Sequence, residues 1–96
     1  MNEKELYQQK MQAQLDEWTA DVDKLKAKAS QASADGQIQI HKEIEALEGK
    51  IEEGKAKLAE VVDASEDAWD SIKDGVESAW DSMKSAFSEA AAKFKK

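Results

Sequence analysis

Proline, cysteine and arginine are absent from this chain of 96 residues, and only four glycines interrupt it. Without cysteine there is no disulfide framework, no thiolate nucleophile and no thiolate metal site. Without proline the most effective helix breaker is missing. One histidine leaves little room for acid–base or metal chemistry at neutral pH, and no run of apolar residues approaches the ~20 needed to cross a bilayer. The opening MNEKELYQQK has neither the basic start nor the apolar stretch of a secretory signal, so the cytoplasm is the expected compartment.

What remains is rich in Ala, Glu, Lys, Asp, Gln and Ser, the composition of an all-α protein. The formal charge is −7, and the acidic excess is even along the chain. Seven acidic residues fall in each of 1–36, 37–64 and 65–96, against five, four and five lysines. With no basic cluster, nucleic acid is excluded as the expected partner.

Residues 3–33 read as one helix. Tyr7, Met11, Leu15, Trp18, Val22, Leu25 and Ala29 recur at spacings of four and three, which lays a single apolar stripe along it. Asn2 is placed to cap its start, with Glu3 and Glu5 in the favourable first turn. Asp35-Gly36 is the strongest turn signal, and a turn at 35–37 is expected. Beyond it Ile40, Ile44, Leu47, Ile51, Leu58 and Val61 continue the periodicity, with Gly54 on the inward face. Residues 1–64 are therefore expected to form an antiparallel helical hairpin resembling a short coiled coil. In such a hairpin Trp18 falls opposite Glu53 and the gap at Gly54, and Tyr7 opposite Ala64.

The C-terminal third carries a repeat. AWDSIKDGVES at 68–78 returns as AWDSMKSAFSE at 79–89. Eleven residues make three turns at about 3.67 residues per turn, so the repeat holds one helix face in constant phase. On that face lie Trp69, Ile72, Val76, Trp80, Met83, Phe87 and Phe94. Ala68, Ala79, Ala90, Gly75 and Ala86 form a small-residue edge, and Lys73, Lys84 and Lys95 a lysine border. Residues 65–96 are thus an amphipathic helical arm that either continues helix 2 or folds back as a third helix. The 11-residue phase runs through the junction, Leu58 answering Trp69 and Val61 answering Ile72, which favours continuation. Ser65 and the Asp63…Glu66 spacing offer caps for a fresh start.

Two kinds of surface satisfy such a face. A protein helix, from the same chain, a second copy or another helical protein, is the favoured one. A lipid surface suits aromatic residues with lysines at the border, although the acidic balance and the single lysine border count against it.

The hairpin followed by AWDSIKDGVESAWDSMKSAF resembles small bacterial coiled-coil-domain proteins of unknown function over nearly the whole chain. Over about 58–96 the 11-residue period is similar to that of exchangeable apolipoproteins and late-embryogenesis-abundant stress proteins. Those likenesses imply reversible lipid-surface binding or stress protection. The chain departs from the apolipoprotein pattern in lacking proline between repeats and in carrying lysine on one border only.

Residues with catalytic potential do not assemble. His41 with Glu45 supplies at most two ligands where a transition metal wants three or four. Asp63, Ser65, Asp67 and Asp74 have calcium-loop spacing, but Ala68 stands where that loop needs glycine, and Trp69 belongs to the repeat. Glu52/Glu53 and Glu66/Asp67 read as solvated faces. The sequence leads to no catalytic residue, cofactor, metal or small-molecule substrate. It leads to a non-enzymatic helical interaction or scaffold protein working through its C-terminal face.

Overall fold

A computed structural model describes residues 2–94, the Phe94 side chain excepted, and shows three helices. They are α1 (Glu3–Ala29), α2 (Ala34–Asp63) and α3 (Glu66–Phe94). Two short connections turn the chain up, down and up again, so α1 and α3 run parallel and α2 runs against both. The molecule measures 51 × 20 × 20 Å. A single helix over 34–94 would by itself be about 90 Å long. The arm therefore folds back, and the continuous helix favoured by the 11-residue phase does not form.

The ends of the helices show why. Asn2 caps α1 by accepting the Glu5 N–H at 2.9 Å. That helix stops at Ala29, before the expected Asp35-Gly36 turn. Ser33, in extended conformation, caps α2 instead. Its hydroxyl accepts the Gly36 N–H at 3.3 Å, and its carbonyl accepts the Gln37 N–H at 2.8 Å. Asp35 then sits in the first turn of α2, where its negative charge favours the helix N-terminus. No glycine among the described residues has positive φ, so Gly36 is an ordinary helical residue and not a turn pivot.

Only Ala64 and Ser65 separate α2 from α3. The Ala64 backbone turns extended at φ −74° and ψ 139°. Ser65 caps α3, its hydroxyl accepting the Ala68 N–H at 3.1 Å and its carbonyl the Trp69 N–H at 2.8 Å. Breaking the helix forfeits a few backbone bonds, each worth about 1 kcal/mol net. Folding back buries Trp69, Val76, Trp80, Met83 and Phe87, each worth about 1.5–3 kcal/mol. Burial wins.

One apolar core results. Met11, Leu15, Trp18 and Val22 of α1 meet Ile44, Leu47, Ile51 and Val61 of α2 and the buried residues of α3. No polar or charged residue is buried among the described ones.

Candidate interaction face

The 11-residue face of α3 is turned into the bundle. Trp69, Val76, Trp80, Met83 and Phe87 are buried, none more than 6% exposed, and Ile72 is half-buried. Phe94 ends α3, but its side chain lies outside the described residues, as does Lys95. The surface expected to await a partner is covered by the chain's own α1 and α2. Along the border, Lys73 reaches Glu3 of α1 at 3.5 Å, while Lys84 is exposed.

The aromatic residues of α3 meet a matching row on α1. Tyr7 and Trp69 have ring centroids 5.1 Å apart, tilted by 50°. Eleven residues further along both helices, Trp18 and Trp80 are again 5.1 Å apart, tilted by 35°. Trp18 also stacks on Phe87 at 4.8 Å with 6° between the ring planes. Because α1 and α3 are parallel, one spacing of eleven serves both: Tyr7 to Trp18 on α1, Trp69 to Trp80 on α3. At the Gly54 gap, where hairpin geometry leads one to expect the Trp18 indole, the nearest indole atom is Trp80 Cζ3. The Tyr7–Trp18 spacing was the available signal, readable once the arm is known to fold back.

Gly54 accommodates other residues. A Cβ built there would lie 2.8 Å from Leu15 Cδ2, 3.3 Å from Met83 Sδ and 3.4 Å from Trp80 Cζ3. The missing side chain lets all three helices converge. Of the small-residue edge of α3, Ala90 is buried and Ala68, Ala79 and Ala86 are half-buried. Gly75 faces open space.

A polar clasp closes the end where α1 starts and α2 meets α3. Glu3 Oε1 accepts from Trp69 Nε1 at 3.2 Å and lies 3.5 Å from Lys73 Nζ. Asn2 Nδ2 donates to Glu66 Oε1 at 2.7 Å. Lys4 Nζ donates to the Ala64 carbonyl at 2.6 Å and to the Val62 carbonyl at 3.5 Å. The last turn of α2 holds no basic residue of its own, so α1 supplies the cation that complements its C-terminal carbonyls. At mid-bundle, by contrast, the buried Trp80 Nε1 has no hydrogen-bond partner.

Burial raises the Tyr7 hydroxyl above its ordinary pKa of 10.0, and the carboxylates of Glu77 and Asp81 push it the same way. Lys10 stands 5.8 Å over the Tyr7 ring. The remaining ion pairs, such as Lys26–Glu48 and Lys93–Glu43, have at least one well-exposed partner and add little stability.

An open groove of about 510 Å³ runs beside Phe87. It is lined by Leu25, Leu47, Phe87, Ala90 and Ala91, with Asp21, Lys24 and Lys28 from α1. His41 and Glu45 are exposed on α2. Among the described residues no group of three or more His, Cys, Asp or Glu side chains is placed to hold a metal ion. Among them, too, no helix is long and apolar enough to cross a membrane.

The chain matches no curated protein and no solved structure. One family does match in part of it: the TMP repeat, at residues 69–79 and 80–90. Those two units are the tryptophan-led 11-residue segments whose apolar face forms the α3 side of the core.

Proposed function

We propose that this chain is a non-enzymatic helical scaffold that works by packing helices, against copies of itself or against another helical protein. The observation that carries this reading is the aromatic row repeated at eleven residues on α3 and matched at the same spacing by Tyr7 and Trp18 on α1. A face so regular is a packing surface. Protein packing is favoured over a lipid surface because the five large residues of the face are already covered by protein.

Sedimentation of the full chain across a wide concentration range tests the proposal. Reversible growth in mass with concentration, or a stable complex with another helical protein, is the expected result. A single monomeric species throughout, with tryptophan emission blue-shifted and unaltered by any helical partner, would leave a closed bundle with no scaffold role.

A further inference from the structure

The α2–α3 junction holds apart two helices whose sequence is in phase to be one. Neither proline nor glycine lies between Leu58 and Ile72 on the two sides of the break. Leu58 and Trp69, and Val61 and Ile72, stand eleven apart across it, so straightening would leave one continuous apolar stripe. It would also pair the N–H groups of Ser65, Glu66, Asp67 and Ala68 with the carbonyls of Val61, Val62, Asp63 and Ala64. In the bundle some of these groups depend on substitutes: Lys4 serves the Val62 and Ala64 carbonyls, and the Ser65 hydroxyl serves the Ala68 N–H.

We infer that α3 exchanges between two copies of this chain. Residues 34–94 straighten into one helix, and each copy's α3 lies on the α1 and α2 of the other. This rests on the scaffold reading above and deepens it, naming a second copy as the partner and the α3 face as the surface. The fit needs no new complementarity, because the receiving surface is the one that already holds α3 within a chain. The register also closes. Gly54 neighbours Trp80 and Met83, and Glu43 pairs with Lys93. The two residue numbers add to 134, 137 and 136, so a two-fold axis near residue 68 reproduces these three α2–α3 pairings between antiparallel copies. Around that axis the small side chains of Ala64 and Ala68 let the long helices approach. A connection as short as these two residues is the kind of hinge that invites exchange.

The test uses the full chain with cysteines introduced at two exposed positions, Glu45→Cys and Ser88→Cys, for spin labels. Labelled chains diluted in unlabelled ones report only the distance within a chain. That distance is short in the closed bundle and about 65 Å along a continuous helix. Lys4→Ala with Ser65→Ala removes the two substitutes. This variant is expected to dimerise at roughly tenfold lower concentration than the parent, with the long distance. Ser65→Pro does the opposite: its ring would clash with the Val61 carbonyl in a continuous helix, whereas the extended Ala64 before it suits proline. It is expected to remain monomeric with the short distance, with helicity by circular dichroism confirming that it folds. A Lys4→Ala/Ser65→Ala chain that stays monomeric at millimolar concentration overturns the exchange. So does one that dimerises with the short distance kept, although self-association, and the scaffold reading with it, would then stand. Dimerisation of Ser65→Pro with the same concentration dependence as the parent also overturns it.

Discussion

The Trp18 indole lies flat against the Phe87 ring, with centroids 4.8 Å apart and planes within 6°, while its other neighbour Trp80 is tilted by 35°. Two side chains of the repeat thus grip one side chain of α1, and the three rings join the third helix to the first.

The first prediction concerns this cluster. Trp18→Ala and Trp80→Ala each remove a large buried ring and are expected to destabilise the bundle by about 3–5 kcal/mol. Their effects should fall short of or exceed additivity by about 0.5–1.5 kcal/mol, since the rings touch. Ser82→Ala, on the exposed face, should stay within about 0.5 kcal/mol. Urea denaturation of the singles and the double gives the coupling directly. Strict additivity would mean that the contact contributes nothing.

A second prediction separates two tryptophans that occupy equivalent places in the repeat. Trp69 Nε1 donates to Glu3, whereas Trp80 Nε1 is buried without a partner. Replacing Trp80 by Phe removes a donor whose desolvation goes uncompensated. Replacing Trp69 by Phe gives up a hydrogen bond to the Glu3 carboxylate, which is exposed and remains hydrated. Ring loss is the same in both, so Trp69→Phe should cost about 1–3 kcal/mol more than Trp80→Phe. Thermal unfolding of the two variants side by side decides it, and equal losses would count against the orphaned N–H.

Glycines supply the third. Gly49 and Gly75 are helical, and a Cβ at either meets nothing within 4 Å. Gly49→Ala and Gly75→Ala are each expected to stabilise the protein by about 0.5–1 kcal/mol. Gly54 is hemmed in by Leu15 and Met83, so Gly54→Val should destabilise it by about 1–3 kcal/mol through overpacking. Chemical denaturation midpoints check the three signs.

The fourth is a pH dependence. The folded state raises the pKa of Tyr7, through burial first and then Glu77 and Asp81. A group whose folded pKa lies above its unfolded value contributes its full stability below the unfolded pKa, here near 10. That contribution is lost as pH rises through the folded pKa. The bundle should therefore lose stability above about pH 10, and Tyr7→Phe should make that decline shallower. Urea midpoints of both proteins across the alkaline range provide the comparison, with lysine titration common to the two.

Much of this fold is legible in the chain itself, because it is written in local pattern. The stripe of Met11, Leu15, Trp18 and Val22 and that of Ile44, Leu47 and Ile51 follow from a period of 3.6, and each stripe is buried as its spacing requires. The Asn2 cap is equally local. The 11-residue face was likewise visible as one surface, with Trp69, Val76, Trp80, Met83 and Phe87 together on it. The first turn falls ahead of Asp35-Gly36 because two local signals compete two residues apart. Asp35-Gly36 suits a turn, but Ser33 caps α2 and puts Asp35 at a helix N-terminus, where its charge is also favourable.

What covers the 11-residue face could not be read from the period, because straight and folded-back helices use the same phase between Leu58 and Ile72. Periodicity describes which side chains share a side of a helix, and it is silent about the two residues, Ala64 and Ser65, that leave the helix. Tertiary structure decided that point. Burial of five large side chains against α1 and α2 outweighs a few backbone hydrogen bonds, and Lys4, 60 residues away in sequence, bonds the Ala64 carbonyl at the exposed end of α2. No local window contains both partners of that contact, nor of Tyr7 with Trp69 or Trp18 with Phe87.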